Sequence, residues 1–526
     1  MSKDKKPKIV NLTPGQLEEL LAQLRAQLKP ATYALVEPLL QTLLWLMALV
    51  ERKETTIGRL NRLLFGARTE KTAPILDPAA AAHSTPTPPR PKPPGHGRNG
   101  IAQYPGARRI PVAHPQLHSG DPCPGCHKGR LYRVKTPQVV VCIKAQPMIA
   151  ADIYELETLR CHLCGAVFTA PAPPQAGTQK YDPNVGLMLG MMRFGAGVPH
   201  YRLAKWQKDF GIPLPASTQW EQIEKTVPCL EPVYETLLDL AAAGQILHND
   251  DTTMRVQSLR KEIDQTPGKD VRKGIFTTGI VAQTQGHTIA LYFTGQNHAG
   301  ENLDDLLRRR PAGLAPPIQM CDALSRNPAR EFQTILSHCL VHARRGFVEV
   351  GESFPQECRH VLESLAEVYG HEAHCKEKGL TPEERLLFHQ QQSGPVMQSL
   401  KLWMQEQFAL KNVEPNSGLG EAIQYMLKRW ETLTLFLRQP GAPLDNNIVE
   451  QSLKMAILHR KNSLGYKTGR GAQVGDLFMS LIHTCRLAAV NVFEYLTALQ
   501  KNEPQVREHP KLWLPWNYQA SNKPDR

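Results

Sequence analysis

The spacing of apolar residues predicts helices in the first part of the chain. Leucines and one isoleucine recur every three or four positions between residues 17 and 66, with charged residues between them. Pro30 and Pro38 interrupt this pattern, so we expect two helices within a segment spanning residues 1–73. The second helix fits either a hairpin that packs on its own chain or a short coiled coil that pairs two chains. The apolar stretch 39–50 is shorter than the roughly 20 residues of a membrane span, which favours a buried or self-associating helix.

The middle of the chain changes character twice. Residues 74–115 are rich in proline, glycine and basic side chains, which predicts an extended linker. Residues 180–235 have the pattern of three helices, with a turn at Gly211 and a capping box formed by Thr218 and Glu221 at the start of the last helix. This order is typical of a helix-turn-helix DNA-binding domain, although most two-helix hairpins do not bind DNA.

From residue 244 onward, the apolar pattern becomes that of strands. Five stretches predict strands: QILHND, TTMRVQSL, KGIFTTGIVAQ, HTIALYFTG and PPIQMCDAL. ENLDDLLRRR and NPAREFQTILSH predict helices. An antiparallel meander followed by alternating strands and helices indicates a layered α/β fold over residues 240–351 and 441–500. The stretch 352–440 is helical in pattern and interrupts this fold, and we expect a C-terminal tail over residues 501–526.

The overall charge points towards a polyanionic partner. The 526 residues include 62 Lys+Arg and 49 Asp+Glu, a net charge of +13, although many basic proteins bind no nucleic acid. At roughly 150 residues per domain, this length predicts three or four domains. The N-terminus is charged and lacks the pattern of a signal peptide, and we expect a cytoplasmic protein that does not enter a membrane. Eleven cysteines in a reducing compartment are metal-ligand candidates before they are disulfide candidates.

Four of these cysteines form two pairs with the spacing of zinc knuckles. Cys123 and Cys126 make the first C-x-x-C, and Cys161 and Cys164 make the second. Four thiolates can hold a structural Zn²⁺ ion tetrahedrally, so we predict a zinc-binding ribbon over residues 116–172. Buried thiols without a metal are the alternative. His127 and His162 adjoin the pairs and are possible substitute ligands, whereas Cys142 has the pattern of a core residue.

Three acidic residues stand where a phosphoryl-transfer site needs them. Asp250 ends one predicted strand, Asp322 ends another, and Glu450 lies in a helix that we expect to begin near Asp445. Cleaving and joining phosphodiesters requires an activated oxygen nucleophile and a stabilised leaving oxygen, which two Mg²⁺ ions held by carboxylates can supply. Four nearby acids are rivals by chemistry: Asp251, Asp304, Asp305 and Asp445.

Several basic residues are candidates for binding DNA phosphates. Lys454 lies one helical turn after Glu450 on the same face, with a solvated lysine as the alternative. The other candidates close that helix or follow the second acid: His459, Arg460, Lys461, His342, Arg344 and Arg345. Arginine suits this role because its forked donors match phosphate oxygens, while cations at a helix C-terminus are favourable without any ligand.

Most of the chain resembles the transposases of the insertion sequence 66 group. GRLNRLLFGARTEKT resembles the end of the family's N-terminal coiled segment, and the paired knuckles resemble its zinc-binding region. VPHYRLAKWQKDFGIPLPASTQW is similar to its helix-turn-helix, LHNDDTTMRV to the motif of the first catalytic Asp, and CLVHARRGF to the block after the second acid. SGLGEAIQYMLKRWETLTLFL followed by LDNNIVEQSLKMAILHRKNSLG is the most specific match. At the second acid this chain has CDALSRN, whereas the family often has an Asp-Gly-Tyr type of sequence.

This resemblance implies a function. Asp250, Asp322 and Glu450 would be the catalytic acids of a retroviral-integrase-like (RNase H-like) DDE domain that uses Mg²⁺ or Mn²⁺. The long gap between Asp322 and Glu450 implies that the helical stretch 352–440 is an insertion into that domain. The protein would bind the terminal inverted repeats of a bacterial insertion sequence, cleave at its ends and transfer 3′-OH ends into target DNA.

The resemblance also implies partners. They are double-stranded DNA, further copies of the chain in a homodimer or higher oligomer, and small accessory proteins of the same element, in a nucleoid-associated cytoplasmic setting. The alternatives are a DNA-binding regulator, an inactive transposon relic, and a metal-dependent nuclease without strand joining.

Overall fold

The computed structural model describes residues 23–27, 32–33, 36–38, 111–112, 115–132, 148–160, 167–176, 179–266, 272–284 and 286–521. The chain forms two compact units, one of residues 1–78 and 348–359 and the other of residues 79–347 and 360–526. The expected N-terminal helices and the proline-rich linker fall mostly outside the described residues, as does the apolar stretch 39–50. Among the helices that the structure describes, none is long and apolar enough to cross a membrane.

Among the described residues from 158 onward, a short hairpin and four α-helices precede the main sheet. They are β1 (Thr158–Arg160), β2 (Val167–Thr169), α1 (Asn184–Gly190), α2 (His200–Asp209), α3 (Ala216–Glu224) and α4 (Val227–Ala242). A π-helical segment, Met191–Gly195, extends α1. The turn predicted at Gly211 is confirmed, since its φ of +75° is in the region that favours glycine. The capping box predicted at Thr218 is wrong: α3 begins two residues earlier, after Pro215, which carries no side-chain acceptor.

Five strands form one mixed sheet in the order β5-β4-β3-β6-β7. They are β3 (Ile246–Thr253), β4 (Phe276–Gln283), β5 (Thr288–Gly295), β6 (Ile318–Cys321) and β7 (Ile335–His338). The first three strands are antiparallel, and β6 and β7 run parallel to β3. The expected mixed α/β architecture is therefore confirmed.

Two element predictions are wrong in part. TTMRVQSL is not a separate strand, because β3 continues to Thr253 and α5 (Gln257–Gln265) then begins. NPAREFQTILSH is not a helix, because its last four residues form β7 and pair with β6. In both stretches the apolar positions fit the period of a helix as well as that of a strand, and pairing with the sheet decides which one forms.

The remaining elements of the described chain are helical. α6 (Ala299–Leu307) lies between β5 and β6, and α7 (Leu340–Val350) follows β7. The predicted helical stretch after it contains α8 (Pro355–Lys378), α9 (Pro382–Ala409), α10 (Gly418–Lys428) and α11 (Trp430–Leu433). The chain continues with α12 (Asn447–Ser463), α13 (Gly469–Leu487), α14 (Val492–Lys501), α15 (Glu503–Glu508) and α16 (Tyr518–Ser521).

The described part of the segment expected to be a C-terminal tail, residues 501–521, is folded. Val506, Trp513 and Tyr518 are buried in the same core cluster as the sheet residues Leu247 and Leu291. An aliphatic and two aromatic side chains explain this outcome, since each removes a large apolar surface from water when it packs.

One edge of the sheet is covered by helix α13. The backbone N–H groups of Ala290, Tyr292 and Thr294 on β5 donate to Thr484 Oγ1, Ser480 Oγ and Asp476 Oδ2 at 3.1, 3.0 and 2.7 Å. Every fourth residue of a helix advances by about 6 Å and every second residue of a strand by about 7 Å, so the two rows stay in step. The helix thereby occupies an edge that would otherwise expose unpaired donors.

A buried carboxylate joins helices α8 and α9. Glu372 is 7% exposed and lies 2.7 Å from Arg385 Nε and 3.0 Å from His389 Nε2. Burial opposes its ionisation, but the hydrogen bonds from His389 and Arg385 outweigh burial and hold its pKa at about 2. Replacing Glu372 with an apolar residue would leave these two donors inside the protein without this acceptor.

Candidate active site

Two of the three candidate acids lie side by side on neighbouring strands. The paired residues of β3 and β6 are Ile246 with Ile318, Leu247 with Gln319 and His248 with Met320, always 72 positions apart. Asp250 and Asp322 have this same separation, so they continue the register just past the end of β6. Residues in register on adjacent strands share a face and lie about 5 Å apart, so this alignment brings the two carboxylates together.

An amide side chain bridges the two aspartates. Asn327 Nδ2 lies 3.5 Å from Asp250 Oδ1 and also donates to Asp322 Oδ1. Asn327 is fully buried, and its backbone carbonyl accepts hydrogen bonds from Asn249 Nδ2 at 2.7 Å and Gln319 Nε2 at 2.9 Å. Because these partners belong to β3 and β6, the amide that touches both acids is held rigidly by the same two strands.

The electrostatics of Asp250 link all three acids. Burial and the neighbouring Asp322 raise the pKa of Asp250 to about 7, with smaller contributions in the same direction from Asp251 and Glu450. The backbone N–H of Asp251, 2.8 Å from Asp250 Oδ1, opposes this shift in pKa. A carboxylate that is repelled by other carboxylates is stabilised by any cation placed between them.

Helix α12 carries Glu450 and packs against β3 and β4. Gly279 of β4 pairs with Asp250, and a Cβ atom at Gly279 would lie 3.0 Å from Leu453 Cδ2 and 3.2 Å from Val449 Cγ2. The missing side chain therefore lets α12 approach the sheet beside Asp250, which places Glu450 on the face that carries the two aspartates.

Asn446 fixes the start of α12. It is fully buried, its Nδ2 donates to the Asn249 carbonyl at 3.1 Å, and its Oδ1 is 3.1 Å from His248 Nδ1. Burial lowers the pKa of His248 to about 4, so the ring is neutral and its Nδ1–H donates to Asn446 Oδ1. The backbone carbonyl of Asn446 accepts from the Glu450 N–H at 3.2 Å, the first turn of the helix. The helix that bears Glu450 is thus tied to the strand position next to Asp250.

Glu450 also lies near two potential metal ligands from the β7–α7 connection. Cys339, His342 and Glu450 each offer one ligand atom, and these atoms all lie within 4.8 Å of one another. Glu450 Oε1 and His342 Nδ1 are 3.9 Å apart, and both are buried without a hydrogen-bond partner among the described residues. Buried polar atoms are normally satisfied, so these two atoms leave room for a ligand. The carboxylates suit a hard cation such as Mg²⁺, whereas thiol and imidazole suit softer metals.

The rival acids have other partners. Asp251 alternates to the opposite face of β3, where it contacts His298 Nδ1 and Arg326 Nη2, each at 3.1 Å. Three more rivals are engaged locally: Asp304 by the Arg330 and Glu331 N–H groups, Asp305 by Arg308, and Asp445 by the Asn447 N–H. These partners satisfy the rival carboxylates within the protein.

The predicted basic residues fall into two groups. Lys454 and Lys461 on α12 are exposed and are available to bind a phosphate. Arg460 instead donates to Thr252 Oγ1 at 3.1 Å and to the Thr253 carbonyl and hydroxyl, so it joins the end of α12 to the end of β3.

The other predicted phosphate ligands are less accessible. Arg344 is 9% exposed, and Arg345 is half-buried. For His459 the prediction is wrong, because the ring is fully buried and stacks on Tyr466 with centroids 4.3 Å apart.

The first predicted zinc knuckle is a compact turn. The His127 N–H donates to the Cys123 carbonyl at 2.8 Å, and the Gly129 N–H lies 3.5 Å from Cys126 Sγ. The Gly129 N–H is the main cause that lowers the pKa of the exposed Cys126 thiol. Cys161, His162 and Cys164 lie outside the described residues, between β1 and β2 in the sequence. Cys142, which precedes β1, also lies outside them. The zinc site therefore stays a prediction.

Sequence reasoning missed three residues that organise this centre. Asn327, Asn446 and Gly279 carry no metal-ligand or catalytic signature, and their roles depend on partners far away in the sequence. Only Asn446 had a local signal, because it stands in LDNN immediately before the helix of Glu450.

One family model matches more than half of this chain. The profile described as "Transposase IS66 family" matches residues 185–474, which include all three candidate acids. The uncharacterized protein y4hP of Sinorhizobium fredii is 27% identical over 397 residues, 70% of this chain and 68% of its own length. The uncharacterized protein y4jD of the same organism is 26% identical over 75% of this chain and 78% of its own length. The uncharacterized protein y4qI, also of that organism, is 29% identical over 64% of this chain and 62% of its own length. This chain belongs to the IS66 family of transposases.

Proposed function

We propose that this transposase is a DDE enzyme that cleaves at the terminal inverted repeats of its element and transfers the 3′-OH ends into target DNA. Asp250, Asp322 and Glu450 are its catalytic acids, and they bind the divalent metal ions, Mg²⁺ or Mn²⁺. The reaction is a phosphoryl transfer without a covalent enzyme intermediate.

The observation that carries this proposal is the contrast between two sets of acids. Asp250 and Asp322 share a neutral amide as their common side-chain partner, and Glu450 keeps one buried oxygen without a partner among the described residues. Two of the rival acids, by contrast, pair with arginines of the protein itself: Asp251 with Arg326 and Asp305 with Arg308. Three mutually repelling carboxylates without a cation are expected where a metal ion supplies the positive charge.

The sheet topology supports the same proposal. An antiparallel meander continued by two parallel strands suits an RNase H-like catalytic domain. The first acid lies on the central strand β3, and the second acid comes directly after β6, the parallel neighbour of β3. Helices α8 to α11 separate the second acid from the third, as expected for an insertion between two parts of that domain.

Residues of the chain would bind the metal ions and the DNA, and others would orient the catalytic acids. Asp250, Asp322 and Glu450 supply carboxylate oxygens, and bound divalent ions would activate an oxygen nucleophile and stabilise the leaving oxygen. Asn327 keeps the two aspartates together, and Asn446 keeps the helix of Glu450 next to them. Lys454, exposed one turn after Glu450, is placed to hold a DNA phosphate beside the acids.

DNA recognition falls to the preceding segments. Helices α2 and α3, joined by the turn at Gly211, would act as a helix-turn-helix. The zinc ribbon would contact the element ends, and the N-terminal helices would pair protomers into a dimer or higher oligomer. Accessory proteins of the same element complete the proposed assembly.

The decisive experiment uses a labelled duplex of the element's own terminal repeat, supercoiled plasmid and Mg²⁺. We expect nicking at the repeat end followed by joining of the label to plasmid. Glu450→Gln should reduce both steps by at least about 1,000-fold, because catalysis loses one of its metal-binding carboxylates. Asp305→Asn is the matched control, since it makes the same acid-to-amide change at an exposed ion pair.

The outcomes separate the alternatives. Cleavage without joining would identify a nuclease, and specific binding of the repeat without cleavage would identify a regulator or an inactive relic. Full activity of Glu450→Gln would show that the catalytic acids lie elsewhere.

A further inference from the structure

A cavity lies beside the C-terminal end of α12, away from the three acids. Its volume is about 510 Å³, and residues of α3, of the π-helical segment Met191–Gly195 and of the start of α13 line it. Arg193 of that wall donates to Ser463, the last residue of α12. Ser463 is 13 residues after Glu450, and 13 residues of helix span about 20 Å, so the cavity is separate from the catalytic centre.

Arg193 is the unusual residue of this cavity. It is 8% exposed, its Nε is buried without a hydrogen-bond partner, and no carboxylate among the described residues pairs with it. Burial lowers its pKa to about 10, so the guanidinium stays charged at neutral pH. A buried charge without a counter-charge is costly, and proteins usually pair such groups. An arginine on a cavity wall in this state fits a site that receives an anion.

The rest of the lining strengthens the preference for an anion. None of the lining residues is acidic. Lys467 is exposed at the rim. Thr468 caps the 19-residue helix α13, whose N-terminal end carries partial positive charge.

Aromatic rings narrow the class of ligand. Phe194, Trp220 and Tyr466 line the cavity together with Arg193, and Trp220 is half-buried, so part of its ring is accessible. Aromatic rings beside cationic groups are what a nucleotide requires, because its base stacks while its phosphate pairs with arginine or lysine. A cavity of about 510 Å³ is within the usual range for a small-molecule site.

We propose that this cavity binds one nucleoside phosphate unit, with the phosphate on Arg193 and Lys467 and the base against Trp220. The unit comes either from a free nucleotide or from a nucleotide of bound DNA. The DNA source rests on the proposed function, since a strand that reaches from the acids to the cavity would be held at two points about 20 Å apart. Binding of a free nucleotide does not depend on the proposed function.

The test titrates the full-length protein with AMP, adenosine, inorganic phosphate and the oligonucleotide (dA)6, and follows tryptophan fluorescence. We expect quenching that disappears in Trp220→Phe. AMP should bind at least about tenfold more tightly than adenosine or phosphate, because base and phosphate both contribute. Comparable quenching by AMP and (dA)6 identifies a general nucleotide site, and quenching by (dA)6 alone identifies DNA as the source.

Arg193→Gln separates binding from structure. It should weaken binding of AMP or (dA)6 at least about tenfold, because one charge-assisted hydrogen bond is lost. It should also leave the urea midpoint of unfolding unchanged or raised, because the variant no longer buries a charge without a partner. Arg470→Gln is the control, since Arg470 pairs with Glu224 at 3.3 Å, is exposed and does not line the cavity.

Three results would overturn the proposal. The first is that neither AMP nor (dA)6 quenches the fluorescence, and the second is that Arg193→Gln binds them as tightly as the unsubstituted protein does. The third is a large loss of stability in Arg193→Gln, which would make Arg193 a structural residue. Nucleotide binding without Mg²⁺-dependent end cleavage would refute only the proposed transposition chemistry. Failure of the nucleotide site and failure of the transposition chemistry are therefore distinguishable.

Discussion

Asn446→Ala tests whether the candidate active site depends on a buried side chain other than the three candidate acids. The substitution removes the amide that donates to the Asn249 carbonyl and accepts from His248 Nδ1. Both groups are interior, since His248 is 2% exposed and Asn249 is fully buried. Alanine provides neither a donor nor an acceptor, so both groups lose this partner while they stay out of water.

The expected loss of stability follows from those two groups. A buried polar group that loses its partner costs about 1–3 kcal/mol, so Asn446→Ala should lower the free energy of unfolding by about 2–6 kcal/mol. The effect on cleavage should be larger than the effect on folding. The Asn446 side chain fixes the residue from which α12 starts, and the first turn of that helix carries Glu450. A misplacement of about 1 Å in a catalytic group can reduce the rate about 100-fold.

The assay combines urea unfolding with Mg²⁺-dependent cleavage of a terminal-repeat duplex, at a temperature where the variant is folded. Asn447→Ala is the matched control, because its neighbouring side chain is exposed and the substitution should change stability by less than about 0.5 kcal/mol. An Asn446→Ala protein that unfolds at the same urea concentration as the control would refute the reasoning on buried partners. Normal cleavage by a measurably destabilised Asn446→Ala would refute its role in placing Glu450.

Three further predictions concern other parts of the molecule. The pKa of Glu372 is about 2 in the folded protein, compared with a usual 4.5. Its ionised form therefore adds up to about 3 kcal/mol to the free energy of unfolding above pH 4.5, and this contribution is lost as the pH falls towards 2. Glu372→Gln should therefore lower the urea midpoint at pH 7 more than at pH 3, whereas the exposed Glu383→Gln should shift neither, and equal behaviour of the two variants would contradict the assignment. Lys461→Ala should weaken DNA binding and reduce its salt dependence by about one counterion, without loss of stability. Arg460→Ala should mainly lower stability, because Arg460 joins α12 to the end of β3. Fluorescence anisotropy at several salt concentrations and urea unfolding measure the two effects, and the opposite pattern would contradict these roles. Cys126→Ser should abolish a zinc content of about one ion per chain, measured by atomic emission, and full zinc retention would exclude this knuckle.

Much of the sheet could be predicted because its strands are regular and long. KGIFTTGIVAQ and HTIALYFTG contain β4 and β5, and the turn between them was visible in the sequence. The order of the five strands could not be predicted, since parallel pairing of β6 and β7 joins segments whose connections leave no local signal. The same limit applies to the covered edge of β5, where Asp476, Ser480 and Thr484 look like ordinary polar positions in a helix.

The candidate acids illustrate the limit more sharply. Chemistry alone could not separate Asp250 from Asp251, because adjacent acids in one motif have the same chemistry, and only the family resemblance favoured Asp250. Alternation along β3 separates them, since Asp251 contacts His298 and Arg326 while Asp250 faces Asp322. The choice depends on the partner strands, which no window of local sequence contains.

Asp322 was the least securely placed acid in the sequence, because CDALSRN departs from the usual family pattern at that position. Its position in the fold is nevertheless closely constrained. The register of β3 with β6 aligns Asp322 with Asp250, and the parallel β7 flanks β6 on the other side. The departing residues also include Asn327, whose amide donates to Asp322 and whose carbonyl is held by Gln319. The motif can therefore change around this acid because strand pairing sets the position of its backbone, and a buried amide from the altered segment orients its carboxylate.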